Sequence, residues 1–382
     1  MNIAAIVAFA GAFVVGVNFA FIGSIKLRLA ERLDIDDAQA GSLISALMFC
    51  CMIVVLVIGP LRDWLGFQAL AVPGFALAGG CLWLLAKARS YKAAFTACLL
   101  LGVGTMAVST TSNTLAPAVL FGGDDPSAAL NLVNVFYGIG AFITPLLSAY
   151  LLKRLGYSTG GSIFGAVVFV PAIIALVSTY PEAEGFEFNQ YLDVITGPAA
   201  WIAGIALFCY VGLEQTMGGF VTTYLSDSGY EEGSAGSLLS GFWISLMVSR
   251  IGASVLMTGI SPADNSLFVC VLALIAIGTI AFMVKASSRL ASGTAVLLTG
   301  LAFGPIFPTL VGVSMAQFPS AIGGSVFSLV FALGLLGGTI LPPVIGSYSD
   351  RLGIRKSLWI AVGVAGALLV ISGGLTTLIT LS

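Results

Sequence analysis

Long apolar runs separated by short polar connections make up most of this chain, and their lengths predict its architecture. A helix needs about 20 apolar residues to cross a bilayer, and runs of that length recur throughout the sequence. We predict twelve transmembrane helices, over residues 4–27, 39–60, 67–86, 93–117, 128–152, 159–179, 198–225, 235–258, 265–285, 292–316, 322–346 and 357–380. An even number of spans places both termini on the same side of the membrane.

The longest connection divides these spans into two groups of six. It runs from Tyr180 to Thr196 and carries four carboxylates, those of Glu182, Glu184, Glu187 and Asp193. We therefore predict an N-terminal six-helix bundle over residues 1–180, an acidic cytoplasmic linker over 181–197 and a C-terminal six-helix bundle over 198–382.

Short stretches of the two halves match at a nearly constant separation. Residues 40–45, Ala-Gly-Ser-Leu-Ile-Ser, match residues 235–240, Ala-Gly-Ser-Leu-Leu-Ser, 195 positions later. A second match, 197 positions apart, joins the fifth and eleventh spans and pairs Gly140, Pro145 and Arg154-Leu155-Gly156 with Gly337, Pro342 and Arg351-Leu352-Gly353. Matches at corresponding spans predict two parallel six-helix repeats.

The composition is that of an integral membrane protein, and it excludes several kinds of site. Hydrophobic residues make up 58% of the 382 residues and charged residues 8%, whereas soluble domains carry about 25% charged residues. The absence of histidine excludes histidine metal sites, triads and proton relays. No carboxylate pair or phosphate-binding loop is visible, so we predict no enzymatic activity and no cofactor. The six cysteines lie in apolar runs, as small hydrophobic residues do: Cys50, Cys51, Cys81, Cys98, Cys209 and Cys270.

Glycine and proline cluster inside several spans. The clustered residues are Gly102, Gly104, Gly138, Gly140, Gly300, Gly304, Pro305, Pro308, Gly334, Gly337, Gly338, Pro342 and Pro343. One interpretation is close packing of helices through small residues, which requires no transport function. The other is kinked helices that rock about a central cavity. The two interpretations are compatible, because the packing surfaces of a transporter are also the surfaces that move.

One carboxylate, that of Glu214, lies deep within an apolar run. The run extends from Gly197 to Leu225, and a charge at that depth costs at least a few kcal/mol. The neighbouring residues Gly212, Gly218 and Gly219 permit close helix approach or local unwinding. We therefore expect Glu214 to belong to a functional site.

Several motifs match a known family of membrane proteins in order and spacing. They are Asp36-Asp37-Ala38-Gln39-Ala40-Gly41, Leu130-Asn131-Leu132 with Gly138 and Pro145, Tyr210 to Phe220, Phe307-Pro308-Thr309, Gly337-Gly338-Thr339-Ile340-Leu341-Pro342-Pro343, Gly346 and Asp350-Arg351-Leu352-Gly353. On these residues the chain resembles the major facilitator superfamily, and within it the fucose–proton symporter family of sugar transporters. The resemblance implies an all-α membrane protein with twelve transmembrane helices in two six-helix repeats, and a transporter that works by alternating access.

The superfamily's loop signature after the second helix is present in part. It falls on residues 59–66, where Gly59, Asp63 and Gly66 correspond to a gating loop, but Phe67 and Gln68 replace the basic residues that follow. We expect Asp63 to latch this loop to a neighbouring helix in the outward-facing state. The alternative is an ordinary solvated turn residue.

Three positions depart from the pattern of the resembled family. The carboxylate of the family's first helix falls on Gly23, the glutamate of its fourth helix on Ser109, and the asparagine of its tenth helix on Phe303. Proton symport therefore does not follow from the resemblance. Glu214 is the remaining candidate for proton coupling at membrane depth.

Polar and aromatic side chains at membrane depth are the candidates for binding substrate. They are Asn18, Ser109, Asn113, Asn134, Tyr137, Glu214, Gln215, Trp243 and Phe303, with Thr222 and Thr309 as weaker candidates. Amides and hydroxyls suit a neutral polyhydroxylated solute because they donate and accept hydrogen bonds, and aromatic faces can stack on a sugar ring. The alternative for each is interhelical hydrogen bonding or packing.

The basic residues divide between helix ends and one apolar run. Arg250 lies inside the eighth span, where we expect its side chain to extend to the interface; the alternative is a pair with an acidic loop residue. Arg154, Asp350 and Arg351 lie at helix ends and are expected to be interface anchors.

The distribution of basic residues conflicts with the orientation that the resemblance implies. The family fold places both termini in the cytoplasm. Only Arg62 and Arg250 then lie on the cytoplasmic side and the other thirteen Lys and Arg residues outside, which reverses the positive-inside rule. We give more weight to the family topology and expect a multi-pass protein of the cell (inner or plasma) membrane with cytoplasmic termini.

Two functional hypotheses follow. The first is secondary-active or facilitative transport of a small neutral solute, a sugar or polyol, with Glu214 as the candidate proton-coupling residue of a symporter. The second is transport or export of an amphipathic or lipid-like solute, because Gly23 and Phe303 replace polar residues of the family. The expected partners are a small-molecule substrate, protons or another coupling ion and the lipid bilayer. We expect a monomer that binds no nucleic acid and no metal.

Overall fold

The computed structural model describes residues 2–182 and 188–381, apart from the side chains of Asp37 and Phe188. The regular structure of these residues is helical. The α-helices are α1 (Ile3–Leu33), α2 (Asp37–Leu65), α3 (Phe67–Lys87), α4 (Tyr91–Val119), α5 (Pro126–Val177), α6 (Phe188–Thr196), α7 (Pro198–Asp227), α8 (Glu232–Leu256), α9 (Pro262–Lys285), α10 (Arg289–Phe303), α11 (Ile306–Met315), α12 (Gly323–Leu352) and α13 (Ile354–Leu381).

The number of spans agrees with the prediction once the longest helix is divided. Among the described residues, 11 helical segments are long and apolar enough to cross a membrane. One of them is α5, whose 52 residues include Gly156 with φ 77° and ψ 163°. Glycine adopts a positive φ without a steric penalty, so α5 consists of two consecutive helices, 126–155 and 157–177. The prediction of an all-α membrane protein with twelve transmembrane helices is confirmed.

The prediction of a loop over residues 59–66 is wrong. Helix α2 continues to Leu65 and α3 begins at Phe67, so a single residue, Gly66 with φ 81°, connects them. Gly59 and Asp63 therefore lie on the last turns of α2. The apolar run ends before the helix does, because the last turns contain Arg62 and Asp63.

The tenth span is interrupted, although the sequence predicts one helix over residues 292–316. Helix α10 ends at Phe303 and α11 begins at Ile306. Pro305 lies between them, and a proline has no N–H to donate to the carbonyl four residues earlier. The break therefore coincides with a glycine–proline cluster that the sequence already shows.

The linker between the two groups of spans contains the short helix α6. The pattern of apolar runs does not predict it, because nine residues are too few to register as a span. Glu182 of the predicted acidic linker is exposed. Glu184 and Glu187 lie outside the described residues.

The described residues form two compact units. Unit 1 contains those of Met1–Gly123, Val133–Tyr191 and Ser320–Ser328, and unit 2 those of Asp124–Leu132, Leu192–Pro319 and Leu329–Ser382. The first residues of α5 therefore group with unit 2, and the first residues of α12 group with unit 1.

The same close helix crossing occurs in each unit. In unit 1, Gly140 of α5 lies so close to α1 that a Cβ atom added to it would overlap the backbone oxygen of Phe13. In unit 2, a Cβ on Gly337 of α12 would overlap the backbone oxygen of Phe208 in α7. The two glycines are 197 positions apart and the two phenylalanines 195. These crossings are corresponding contacts of the two six-helix repeats, and they show small-residue packing at both glycines.

Candidate functional site

The polar candidates of unit 1 form hydrogen bonds between helices. Asn18 of α1 donates through Nδ2 to Oγ1 of Thr105 in α4 at 2.9 Å. Asn134 of α5 donates through Nδ2 to Oδ1 of Asn113 in α4 at 3.1 Å. Asn113 in turn donates to the carbonyl oxygen of Ser109 at 2.9 Å. The structure therefore brings four of the predicted residues onto three neighbouring helices, where their side chains are buried.

This unit 1 cluster retains hydrogen-bonding capacity. The Oδ1 atom of Asn18 is buried and has no hydrogen-bond partner among the described residues. Tyr137 lies one turn after Asn134 on α5 and is half-buried. A Cβ on Gly16 would overlap the backbone oxygen of Tyr137, so α1 and α5 are in backbone contact at this level. The cluster consists of neutral donors and acceptors, which are the groups that bind sugar hydroxyls.

The charged candidate of unit 2 is part of a buried ion pair. Oε1 of Glu214 in α7 lies 3.7 Å from Nη2 of Arg250 in α8, and both side chains are buried. The Nε atom of Arg250 donates to the carbonyl oxygen of Gly304 at 2.8 Å. Tyr210, one turn before Glu214, is fully buried beside both charged groups, but its hydroxyl makes no hydrogen bond of good geometry within the described chain.

The expectation that Arg250 extends to the membrane interface is wrong. Its side chain is 2% exposed and faces the interior of unit 2. Extending to the interface is the usual arrangement for an arginine near a helix end, but here a carboxylate and the Gly304 carbonyl lie within its reach. The sequence places Glu214 and Arg250 in different spans and does not indicate that they face each other.

The aromatic candidates pack against other residues of unit 2. The Phe303 ring is fully buried and packs edge-on against Tyr210 and Phe242, with centroid distances of 5.8 and 6.2 Å. Trp243 is half-buried, and a Cβ on Gly218 would lie 3.1 Å from its ring. The absence of a side chain at Gly218 thus makes room for the indole beside α7.

The remaining polar candidates of unit 2 occupy different environments. Gln215 is exposed, and a Cβ on Gly338 of α12 would lie 3.1 Å from its Cγ. Thr222 is half-buried further along α7. Thr309 is buried and accepts a hydrogen bond of 3.0 Å from Nδ2 of Asn131. These residues do not join the Glu214–Arg250 pair.

Sequence reasoning missed two partners in these clusters, Thr105 and Tyr210. A lone threonine in an apolar helix gives no signal, because its hydroxyl commonly bonds its own helix. Tyr210 lies in the motif quoted for the seventh span, and its position one turn from Glu214 was the available signal.

Asp63 is held at the start of α12, within unit 1. Its Oδ1 accepts from the backbone N–H of Gly324 at 2.8 Å, and its Oδ2 accepts from the backbone N–H of Ser325 at 2.7 Å. The Ser325 hydroxyl donates to the same Oδ2 at 2.6 Å, and Nη1 of Arg62 lies 2.7 Å from Oδ1. An anion at a helix N-terminus is stabilised by the free N–H groups and the helix dipole. The Asp63 side chain is 0% exposed, so the alternative of a solvated turn residue is wrong.

Gly59 and Gly66 support this arrangement through their lack of a side chain. A Cβ on Gly59 would overlap the hydroxyl of Ser328 on α12, so the glycine permits the first turns of α12 to approach α2. Gly66 supplies the single residue of positive φ between α2 and α3. The Arg62 guanidinium lies 4.1 Å from the centre of the Phe67 ring, so the phenylalanine that replaces a basic residue of the family packs under that cation.

The described residues contain no group of three or more His, Cys, Asp or Glu side chains that could hold a metal ion. What the two clusters offer is a neutral hydrogen-bonding surface in unit 1 and a buried charge pair in unit 2. The first is suited to binding hydroxyl groups, and the second is suited to a change of protonation.

Comparisons with known proteins identify the family. A family model described as Major Facilitator Superfamily matches residues 7–342. The chain is 27% identical over 328 residues to a glucose/galactose transporter of Brucella abortus, which covers 79% of this chain and 77% of that protein. It is 24% identical over 368 residues to the L-fucose-proton symporter of Escherichia coli, which covers 85% of this chain and 81% of that protein.

The fold is also that of a solved transporter. The crystal structure of the major facilitator superfamily transporter FucP in the outward conformation superposes with a TM-score of 0.82 at 19% sequence identity, over 97% of this chain and 98% of that one. The predicted resemblance is confirmed. The protein belongs to the Major Facilitator Superfamily, a family of transporters, and has its multi-pass fold of twelve helices in two six-helix repeats.

Proposed function

We propose that this protein is a secondary-active or facilitative transporter of a small neutral sugar, which it moves by alternating access. The observation that carries the proposal is the cluster of buried amides in unit 1. Asn18 on α1 bonds to Thr105 on α4, and Asn134 on α5 bonds to Asn113 on α4. Oδ1 of Asn18 is left without a partner among the described residues. Two relatives are named for the transport of glucose, galactose or fucose.

We further propose that transport is coupled to protons through Glu214. A charge in an apolar helix carries a cost that protonation removes, and a relative is named a proton symporter. Coupling at this position would differ from the family pattern, because Gly23 and Ser109 replace the carboxylates of the resembled family. A facilitator without coupling is the alternative outcome of the same experiments.

A binding screen tests the substrate class. A ligand that binds the native state raises the melting temperature by mass action, by an amount that corresponds to about 2.7 kcal/mol at 100 times its Kd. We expect a hexose among sugars, polyols, lipids and amphipathic drugs to raise the melting temperature of the purified protein. A rise in melting temperature with amphipathic compounds and none with sugars would instead favour transport or export of an amphipathic or lipid-like solute.

The Asn113→Ala substitution should weaken sugar binding at least about fivefold. It removes the acceptor of the Asn134 amide and one donor from the cluster, and a lost hydrogen bond in a buried site costs about 1–3 kcal/mol. Affinity is measured by titrating the melting temperature with sugar. The matched control is Thr144→Val on α5, because the buried Thr144 hydroxyl donates only to its own helix. Equal affinities of the two variants would exclude Asn113 from the binding site.

We also propose that both termini lie in the cytoplasm, in a cell (inner or plasma) membrane protein that acts as a monomer and has no enzymatic activity. The family topology supports this orientation, while the positions of the basic residues oppose it. Reporter fusions at each terminus, active on only one side of the membrane, test it. Termini outside the cell would overturn the assignment.

A further inference from the structure

Two prolines lie at the break in the tenth span, and each leaves the carbonyl four residues earlier without its helical donor. One of these carbonyls is that of Gly304. In a regular helix, the oxygen of Gly304 would accept from the backbone N–H of residue 308. That residue is Pro308, which has no N–H. The Nε atom of Arg250 donates to the Gly304 oxygen instead, at 2.8 Å. The arginine thus replaces a backbone hydrogen bond that the sequence cannot form.

Helix α8 lies directly against this break. A Cβ on Gly304 would overlap the Ser249 hydroxyl and the backbone oxygen of Leu246. One turn earlier, a Cβ on Gly300 would lie 2.5 Å from the backbone oxygen of Phe242. Backbone contact at two successive turns means that the break and α8, which carries Arg250, are tightly packed.

The same guanidinium also lies close to the Glu214 carboxylate. Its Nη2 atom lies 3.7 Å from the Glu214 carboxylate, too long for a hydrogen bond of good geometry but close enough for strong electrostatic attraction in an apolar interior. The Arg250 side chain therefore interacts both with a carboxylate on α7 and with a carbonyl at the break between α10 and α11.

Few ionisable groups face Glu214. They are Arg250 from α8 and Tyr210 from its own helix. The other helices packed on α7 are α10, α11, α12 and α13, and within the described chain they contribute no charged group to this carboxylate. Within the described chain, Arg250 is thus the charged group beside this carboxylate, and its distance from the carboxylate affects the protonation of Glu214.

We propose that Arg250 is a positioning residue that links the protonation of Glu214 to the break in the tenth span. While Glu214 is ionised, the guanidinium is held between the carboxylate and the Gly304 oxygen. When the carboxylate takes up a proton, its attraction to Arg250 is lost, whereas the hydrogen bond from Arg250 to the Gly304 oxygen remains. The proposal rests on the proposed transport function, which it deepens by connecting a proton-binding group to a helix break.

Titration of Glu214 by infrared spectroscopy tests the linkage without substrate. The carboxylic acid band that disappears in Glu214→Gln reports the protonation of Glu214. Pro308→Ala gives Gly304 a helical N–H donor and frees Arg250 to approach the carboxylate. We expect the midpoint of the titration to move to lower pH by at least about half a unit, or about threefold in proton affinity. Arg250→Gln should move the midpoint in the opposite direction.

Pro145→Ala on α5 is the matched control, because Pro145 also lies inside a helix but in unit 1, and its titration should coincide with the parent's. If Arg250 is purely structural, Pro308→Ala should leave the midpoint of the Glu214 titration unchanged. An unchanged midpoint in Pro308→Ala would therefore overturn the linkage, even if Arg250→Gln fails to fold. Because no sugar is present, failure of this test is distinct from failure of the transport function, which binding and counterflow measure.

Discussion

Replacing Glu214 with glutamine abolishes proton-driven accumulation of sugar and preserves sugar exchange. The glutamine resembles the protonated carboxyl in size and neutrality, but it cannot release a proton. With one proton moved per sugar, each unit of pH difference supplies about 1.4 kcal/mol, or a tenfold accumulation ratio. We expect the parent protein in proteoliposomes to approach this ratio and the variant to remain near a ratio of one.

Exchange of labelled for unlabelled sugar requires no net proton movement, so it should stay within a few-fold of the parental rate. The control is Glu182→Gln, an identical chemical change at an exposed position of the linker. Unchanged accumulation in Glu214→Gln would eliminate Glu214 as the coupling group. Loss of both accumulation and exchange in a protein that still melts cooperatively would assign Glu214 to sugar binding alone.

The Asp63→Asn substitution should destabilise the protein by about 3–5 kcal/mol, the cost of removing one partner from a buried charged network. The two carboxylate oxygens accept from three donors on Gly324 and Ser325. An asparagine has one oxygen, so its amide nitrogen would face a donor, and Arg62 would lose its counter-charge.

The stability is measured as the melting temperature in detergent. Asp350→Asn is the matched control, because Asp350 lies exposed on the last turns of α12. Equal melting temperatures for the two variants would contradict the importance of the Asp63 contacts. If Asp63 acts as a gate, Asp63→Asn should also lower the transport rate more than its remaining folded fraction explains.

The sequence predicts the architecture well because the physical signals of a membrane helix are local. Length and hydropathy are enough to count the spans, and the matching glycines at 140 and 337 reveal the repeat before any coordinates are known. Helix ends are less predictable. The polar last turns of α2 extend the helix to Leu65 and reduce an expected loop to Gly66, because hydropathy does not distinguish a solvated loop from a helical turn buried by a neighbour.

The candidate residues could be named from the sequence, but their partners could not. An amide or a charge inside an apolar span is conspicuous, so Asn18, Asn113 and Glu214 stand out. Which helix faces each of them depends on helix rotation and crossing, which a sequence without other information does not contain. Arg250 illustrates the limit, since its position near a helix end favours an interfacial location while its actual partners lie on α7 and at the α10–α11 break.

Counterflow in proteoliposomes tests sugar transport most directly. Liposomes containing the purified protein and unlabelled glucose, galactose or fucose are diluted into the corresponding labelled sugar, and the label inside is measured over time. We predict a transient uptake of at least one of these sugars, at least about ten times that of protein-free liposomes, and a reduced uptake at low sugar concentration for Asn113→Ala. No uptake above protein-free liposomes for any of the three sugars, with a protein that is folded and inserted, would contradict the proposed function.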